Sequence, residues 1–285
     1  MTEQDLARNR ALVARLFLRG DGIEIGALHN PMPVPPPARV KYVDRMSAEG
    51  LRLQYPELKD LPLVDADIID DGETLSTVPT ESQDFIIASH FFEHCQNPVA
   101  ALQSFVRVLR PDGILFLVIP DKLYTFDKER PSTSIQHIVR DFEEGPAWSK
   151  EQHYREYARL VDHAATGEAE ELRAQYLIGL DYSIHFHVWN KPEVLELLAS
   201  VNQKYRMGYE IRLFLDNGQE GIYVLQKSAR FGEPVKISSS ADSAAISATH
   251  SRGPEPAADG QTIRPRYFAE RKSLWTWISQ RGNRR

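Results

Sequence analysis

Short apolar runs recur along the chain, each closed by a turn. GIEIG (residues 22–26), VKYVD (40–44), DFIIASH (84–90) and GILFLVIP (113–120) are apolar on successive positions. That pattern predicts strands buried on both faces. Between the last two lies NPVAALQSFVRVLRPDG (97–113), with Val99, Leu102, Phe105, Val106 and Leu109 at helical spacing. Asn97-Pro98 is a helix start and Pro111-Asp112-Gly113 a stop. A first amphipathic helix is predicted over residues 4–18, ending near Gly20. Strands alternating with helices predict a parallel α/β sheet. Two later runs, YEIRLFLD (209–216) and GIYVLQK (221–227), flank NGQE and predict an antiparallel hairpin.

The fold expected is therefore α/β: a Rossmann-like, mostly parallel sheet ending in an antiparallel hairpin. Residues 121–190 interrupt it with polar, aromatic and histidine-rich sequence, and a helical cap over the strand ends is expected there. The organisation expected is a domain over 1–228, a disordered Ser/Ala/Gly/Pro linker over 229–262, and a basic aromatic tail over 263–285. The tail is read either as an interfacial helix meeting a membrane surface or as a disordered or partner-docking segment.

Bulk properties narrow the function classes. A net charge of −6 gives no general attraction to nucleic acid. The single cysteine, Cys95, excludes an internal disulfide and any multi-cysteine metal site. No apolar run reaches the ~20 residues of a membrane span, and the N-terminus lacks a secretory apolar segment. A cytoplasmic location is expected.

The first strand ends like a nucleotide-binding turn and then departs from one. Glu24 and Gly26 are followed by Leu28 and Asn30 where further glycines would stand, and Asn30 to Pro37 holds five prolines. A pyrophosphate needs bare backbone at a helix N-terminus, and no regular helix can begin within that proline run. NAD and FAD are disfavoured on these grounds.

The segment Ser82 to Asp121, with DFIIASHFFEH and RVLRPDG, resembles the class I S-adenosylmethionine-dependent methyltransferases of the type 11 group. The resemblance covers roughly residues 20–120. It implies a site for S-adenosylmethionine, a ligand without phosphates, built on Glu24, Gly26 and the neighbouring Ala27. It further implies that Asp44, beside Arg45, takes the ribose hydroxyls, 18 residues beyond Gly26. Asp71 and Gly72 of DDGETL would lie near the adenine, with Asp70 an alternative, and Ser89 would line the cavity. His29 and Asn30 either cap the cofactor or hold the proline loop.

Methyl transfer to a hydroxyl or amine calls for a base, and the candidates are His90, His94, His185 and His187. His185 and His187, two apart, face one side of an extended segment. With His153 or a distant carboxylate they could ligate a metal, but no metal site is assigned. Lys122, Tyr124, Asp127 and Arg130 are candidate acceptor-pocket residues. The resemblance extends to methyltransferases that accompany glycosyltransferases in bacterial polysaccharide synthesis. The expected function is O-methylation of a sugar or other small-molecule acceptor. The alternative is a binding or scaffold module that keeps the fold without turnover, favoured by Leu28 and Asn30.

Overall fold

The computed structural model describes residues 1–228; the calls of a linker over 229–262 and a tail over 263–285 lie outside the described residues. Seven strands form one sheet: β1 Asp21–Ile25, β2 Arg39–Asp44, β3 Ile68–Ile69, β4 Gln83–Ser89, β5 Leu109–Pro120, β6 Tyr209–Asn217 and β7 Glu220–Lys227. Their order is β3-β2-β1-β4-β5-β7-β6. The pairs from β3 to β5 are parallel, and β7 runs antiparallel to both β5 and β6. The hairpin turns on Gly218-Gln219, with Asn217 opposite Glu220 and Gly218 at φ +70°.

Period-2 alternation within the strands sends side chains to two cores. Ile23, Ile25, Ile86, Ala88, Leu115 and Leu117 pack with α3 (Pro98–Val108) and α7 (Lys191–Tyr205). Phe85, Ile87, Phe116 and Val118 face the opposite side, against Val13 and Ala14 of α1 (Glu3–Phe17). Met32, Val34 and Ala38 of the proline loop join that second core. Irregular chain thus covers the sheet where a helix would otherwise follow β1. The connection from β1 to β2 contains no helix, as the prolines require, and α2 (Ala48–Gln54) forms only after β2.

The α3 helix begins as expected, Asn97 Oδ1 accepting the Ala100 N–H at 3.1 Å. Its stop differs. The chain passes directly into β5 at Leu109, and Pro111-Asp112-Gly113 lies within that strand, where the β4–β5 register shifts. Asp112 has φ +64°.

The insertion is helical: α4 Ile135–Glu144, α5 Ala147–Leu160 and α6 Glu168–Gly179. It has a small core of its own, including Tyr154, Tyr157, Leu177, Ile184 and Phe186. Among the described residues no helix is long and apolar enough to cross a membrane.

Candidate functional site

Parallel strands deliver their C-terminal ends to one edge, so the turns after β1, β2, β3 and β4 converge. Gly26, Asp44, Asp71-Gly72 and His90 follow those strands and line a cleft of about 240 Å³. Gly26 turns the chain at φ +65°, and its N–H is donated to Val43 O at 2.9 Å. Gly72 is fixed by packing: a β-carbon there would come within 2.5 Å of Ile25 Cγ2 and 2.6 Å of Phe91 Cζ. The cap closes the far side with Tyr154, Asp181, Tyr182 and Phe186.

Asp44 is the acid the cleft desolvates most plainly. Burial raises its carboxyl to about 6, against the N–H donors of Arg45 and Met46 and the Arg45 charge. The Arg45 N–H to Asp44 Oδ1 bond is 2.7 Å. The Arg45 guanidinium itself turns away to Tyr55 Oη and, at 3.1 Å, to Asp181. It ties the end of β2 to the cap.

The other acids serve the walls. Asp71 Oδ1 accepts from Glu73 N at 2.7 Å, closing its own turn at the cleft edge. Asp70 is saturated by Ser76, Thr77 and the Asp71 N–H, and does not line the cleft. Glu24 is buried and also stands off the cleft. Both its oxygens face the Met32 N–H, at 3.0 and 3.1 Å, which anchors the proline loop. Burial raises Glu24 to about 8.

Of the cofactor candidates, Gly26, Asp44, Arg45, Asp71 and Gly72 come together; Glu24, Ala27 and Ser89 do not line the cleft. His29 and Asn30 bond each other, Asn30 Nδ2 to His29 Nε2 at 2.9 Å. Leu28 does line it. At φ +52° it holds the left-handed conformation that glycine adopts freely.

The four candidate histidines divide. His90 and His94 line the cleft; His185 and His187 do not. His90 is left-handed (φ +54°), its Nε2 3.0 Å from Glu220 Oε2. Burial raises the Glu220 carboxyl, but hydrogen bonds from His90 and Arg10 outweigh that and hold it well below the usual range.

The His94 Nδ1 lies 2.9 Å from Ile184 O. A carbonyl oxygen only accepts, so Nδ1 carries the proton and Nε2 keeps its lone pair. Burial also holds His94 well below its ordinary value, neutral at physiological pH.

The segment around His185 and His187 bends instead of extending as a strand, so the expected common side is lost. His185 Nδ1 meets Asp127 Oδ2 at 2.6 Å, and His187 turns to Asp141. Asp127 and Arg130 are consumed in that buried network and contribute nothing to the cleft. Sequence reasoning missed Tyr55, Tyr154, Tyr182 and Phe186, whose aromatic pattern reads equally as core. It also missed Glu73, which accepts from Gln96 and Asn97 N–H at the start of α3.

Residues 38–117 match the profile of the methyltransferase domain family. That segment contains Asp44, Asp71, Gly72, His90 and His94; the turn at Gly26 lies before it. No curated protein matches the chain. Among solved structures, the chain is similar to a Thermotoga maritima S-adenosylmethionine-dependent methyltransferase described as a possible histamine N-methyltransferase. That match has 15% identity and TM-score 0.42, covering 78% of this chain and 92% of that one. It is also similar to a putative methyltransferase from Bacillus halodurans, with 14% identity, TM-score 0.41, and coverage of 79% and 99%.

Proposed function

We propose that this chain, which carries a methyltransferase domain, transfers a methyl group from S-adenosylmethionine to a hydroxyl of a sugar or other small ring-containing acceptor. The observation that carries the reading is Asp44, a desolvated carboxylate inside the cleft. Such a group calls for hydrogen-bond donors, and a ribose diol offers two. The residues present fit the cofactor. Asp44 would take the ribose, the open turn at Gly26 and Leu28 would leave room beside the backbone, and Asp71-Gly72 would border the adenine. When bound, S-adenosylmethionine supplies an electrophilic methyl group on a sulfonium.

The chain's own residues do the rest. Tyr55, Tyr154, Tyr182 and Phe186 offer flat apolar faces that suit a ring, and Asp181 offers an acceptor for its hydroxyls. His94 Nε2 is the base that takes the acceptor's proton, held in one tautomer by Ile184 O. His90, pinned by Glu220, holds the turn after β4. The Arg45–Asp181 pair ties the end of β2 to the cap across the cleft. The wider reading, a role in polysaccharide synthesis, rests on the acceptor class.

The test is calorimetry with S-adenosylmethionine and S-adenosylhomocysteine, followed by turnover on a panel of sugar acceptors. Binding of both, with acceptor-dependent S-adenosylhomocysteine release that His94→Gln abolishes while binding persists, is the expected result. Absence of binding at millimolar ligand sinks the proposal.

A further inference from the structure

Away from the cleft, four potential ligands meet beneath the cap: His137 and Asp141 one turn apart on α4, His153 on α5, and His187 on the segment leading to α7. One ligand atom from each lies within 4.8 Å of the other three. The three shortest separations match the edges of a tetrahedron around a small ion. His137 Nε2 is 3.0 Å from His153 Nε2 and 3.3 Å from Asp141 Oδ2, and His187 Nε2 is 3.6 Å from the same oxygen. Ligands ~2 Å from a zinc ion stand about 3.3 Å apart.

Protein groups alone leave this cluster poorly satisfied. Asp141 is 0% exposed, its Oδ1 accepts from Ser149 Oγ at 2.9 Å, and its Oδ2 has no hydrogen-bond partner. No Lys or Arg pairs with it among the described residues. His187 Nδ1 is also buried without a partner. A carboxylate without a nearby cation is costly to bury, and a metal ion removes that cost.

The donor set is three imidazoles and one carboxylate, without thiolate. That selects a divalent transition metal, with Zn²⁺ the fitting ion for four protein ligands in tetrahedral array. Ser149 supplies the outer hydrogen bond that orients Asp141.

We propose that His137, Asp141, His153 and His187 form a structural zinc site that staples α4 and α5 to the segment beside the cleft. Four protein ligands leave no open position, so the ion holds the fold and does no chemistry. The staple reaches the cleft through chain neighbours: Tyr154 follows His153, Phe186 precedes His187, and both line it.

The full chain, purified without a histidine tag, is assayed for metal by mass spectrometry and then stripped and titrated with Co²⁺. One zinc per chain is expected, as is the intense visible absorption of tetrahedral Co²⁺. Stripping should lower Tm and speed hydrogen exchange in α4 and α5. Asp141→Asn and His187→Gln should each lose the metal, whereas His185→Gln, in the adjoining cluster, should keep it. Three results each overturn the assignment: no stoichiometric metal together with no tetrahedral Co²⁺ band, metal retained in both ligand variants, or metal lost with His185→Gln. None of these readouts depends on methyl transfer.

Discussion

Replacing Asp44 with Asn removes the charge proposed to hold the cofactor's ribose, and pH does the same reversibly. The Asp44 carboxyl is raised from 3.8 to about 6 by burial. At pH 7 roughly nine-tenths of it is ionised and at pH 5 roughly one-tenth. If the ribose hydroxyls bind the ionised form, the Kd for S-adenosylhomocysteine rises about tenfold over that span, some 1.4 kcal/mol. Asp44→Asn should weaken binding at pH 7 by about 1.5–3 kcal/mol, the scale of a hydrogen bond to a charged group, and flatten the pH response. A second readout carries the opposite sign. A carboxyl with a raised native value binds its proton more tightly folded than unfolded. Stability is therefore lost as pH rises from 3.8 through about 6, and the penalty stays above that. Its size is about 3 kcal/mol from a shift of roughly two units. Asp44→Asn should thus raise the Tm of the ligand-free chain at pH 8 and change it little near pH 4. Calorimetric titrations at pH 5, 6 and 7, with thermal melts, check both. A wild-type Kd unchanged between pH 5 and 7, or the same slope in the Asn variant, refutes the reasoning.

Two further outcomes follow from the same physics. Because His94 is held well below its ordinary 6.5 by burial, it is already neutral at pH 6.5. The acid limb of kcat/KM should therefore fall below that value, as measured on the best sugar acceptor. Glu24 is raised to about 8, so it is largely protonated at pH 7 and destabilises the fold progressively as pH rises from 4.5 to 8. Glu24→Gln should change stability little near pH 4 and stabilise the fold at pH 7 and above. Glu24→Ala, which removes the acceptor for the Met32 N–H, should cost about 1–3 kcal/mol by denaturant melts.

Six of the seven strands were legible because apolar runs and turn residues dominate their sequence; β3, two residues long, has no such run. The NGQE turn alone announced the hairpin. Asp44, Asp71 and His90 were legible for a topological reason: a parallel sheet forces the residue after each strand to one edge, whatever lies between. The failures share another cause. Glu24 resembles a site acid in sequence, and only the path of the proline loop reveals that its oxygens face Met32. His185 and His187 diverge because the segment bends, and spacing carries no record of a bend. The proposed metal ligands come from α4, α5 and a loop, a juxtaposition that local pattern does not encode. The helices α2 and α7 went unassigned although Asn190 and Glu193 form a capping box at the start of α7.

Two non-glycine residues explain how the fold tolerates its altered motifs. Leu28 stands where a glycine is expected, and both it and Asp112, just before the apolar run of β5, take left-handed backbone, φ +52° and +64°. The chain therefore keeps the backbone path and accepts strain of roughly 1–2 kcal/mol at each. Leu28 recovers part of that cost through its side chain, which packs with Met46 on Leu51, Tyr55 and Leu58. Full burial of a leucine is worth about 1.5–3 kcal/mol; Leu28 is partly buried and offsets part of the strain. The exchange has a structural consequence. A glycine would leave the turn after β1 and the helix after β2 independent, whereas Leu28 fastens one to the other at the cleft rim, beside Tyr55 and Arg45. The helix that normally stiffens such a turn is missing, and its work is divided between Glu24, which holds the proline loop from below, and Leu28, which holds the rim from the side. The missing glycines are thus consistent with a rebuilt cofactor turn and do not by themselves argue for lost binding.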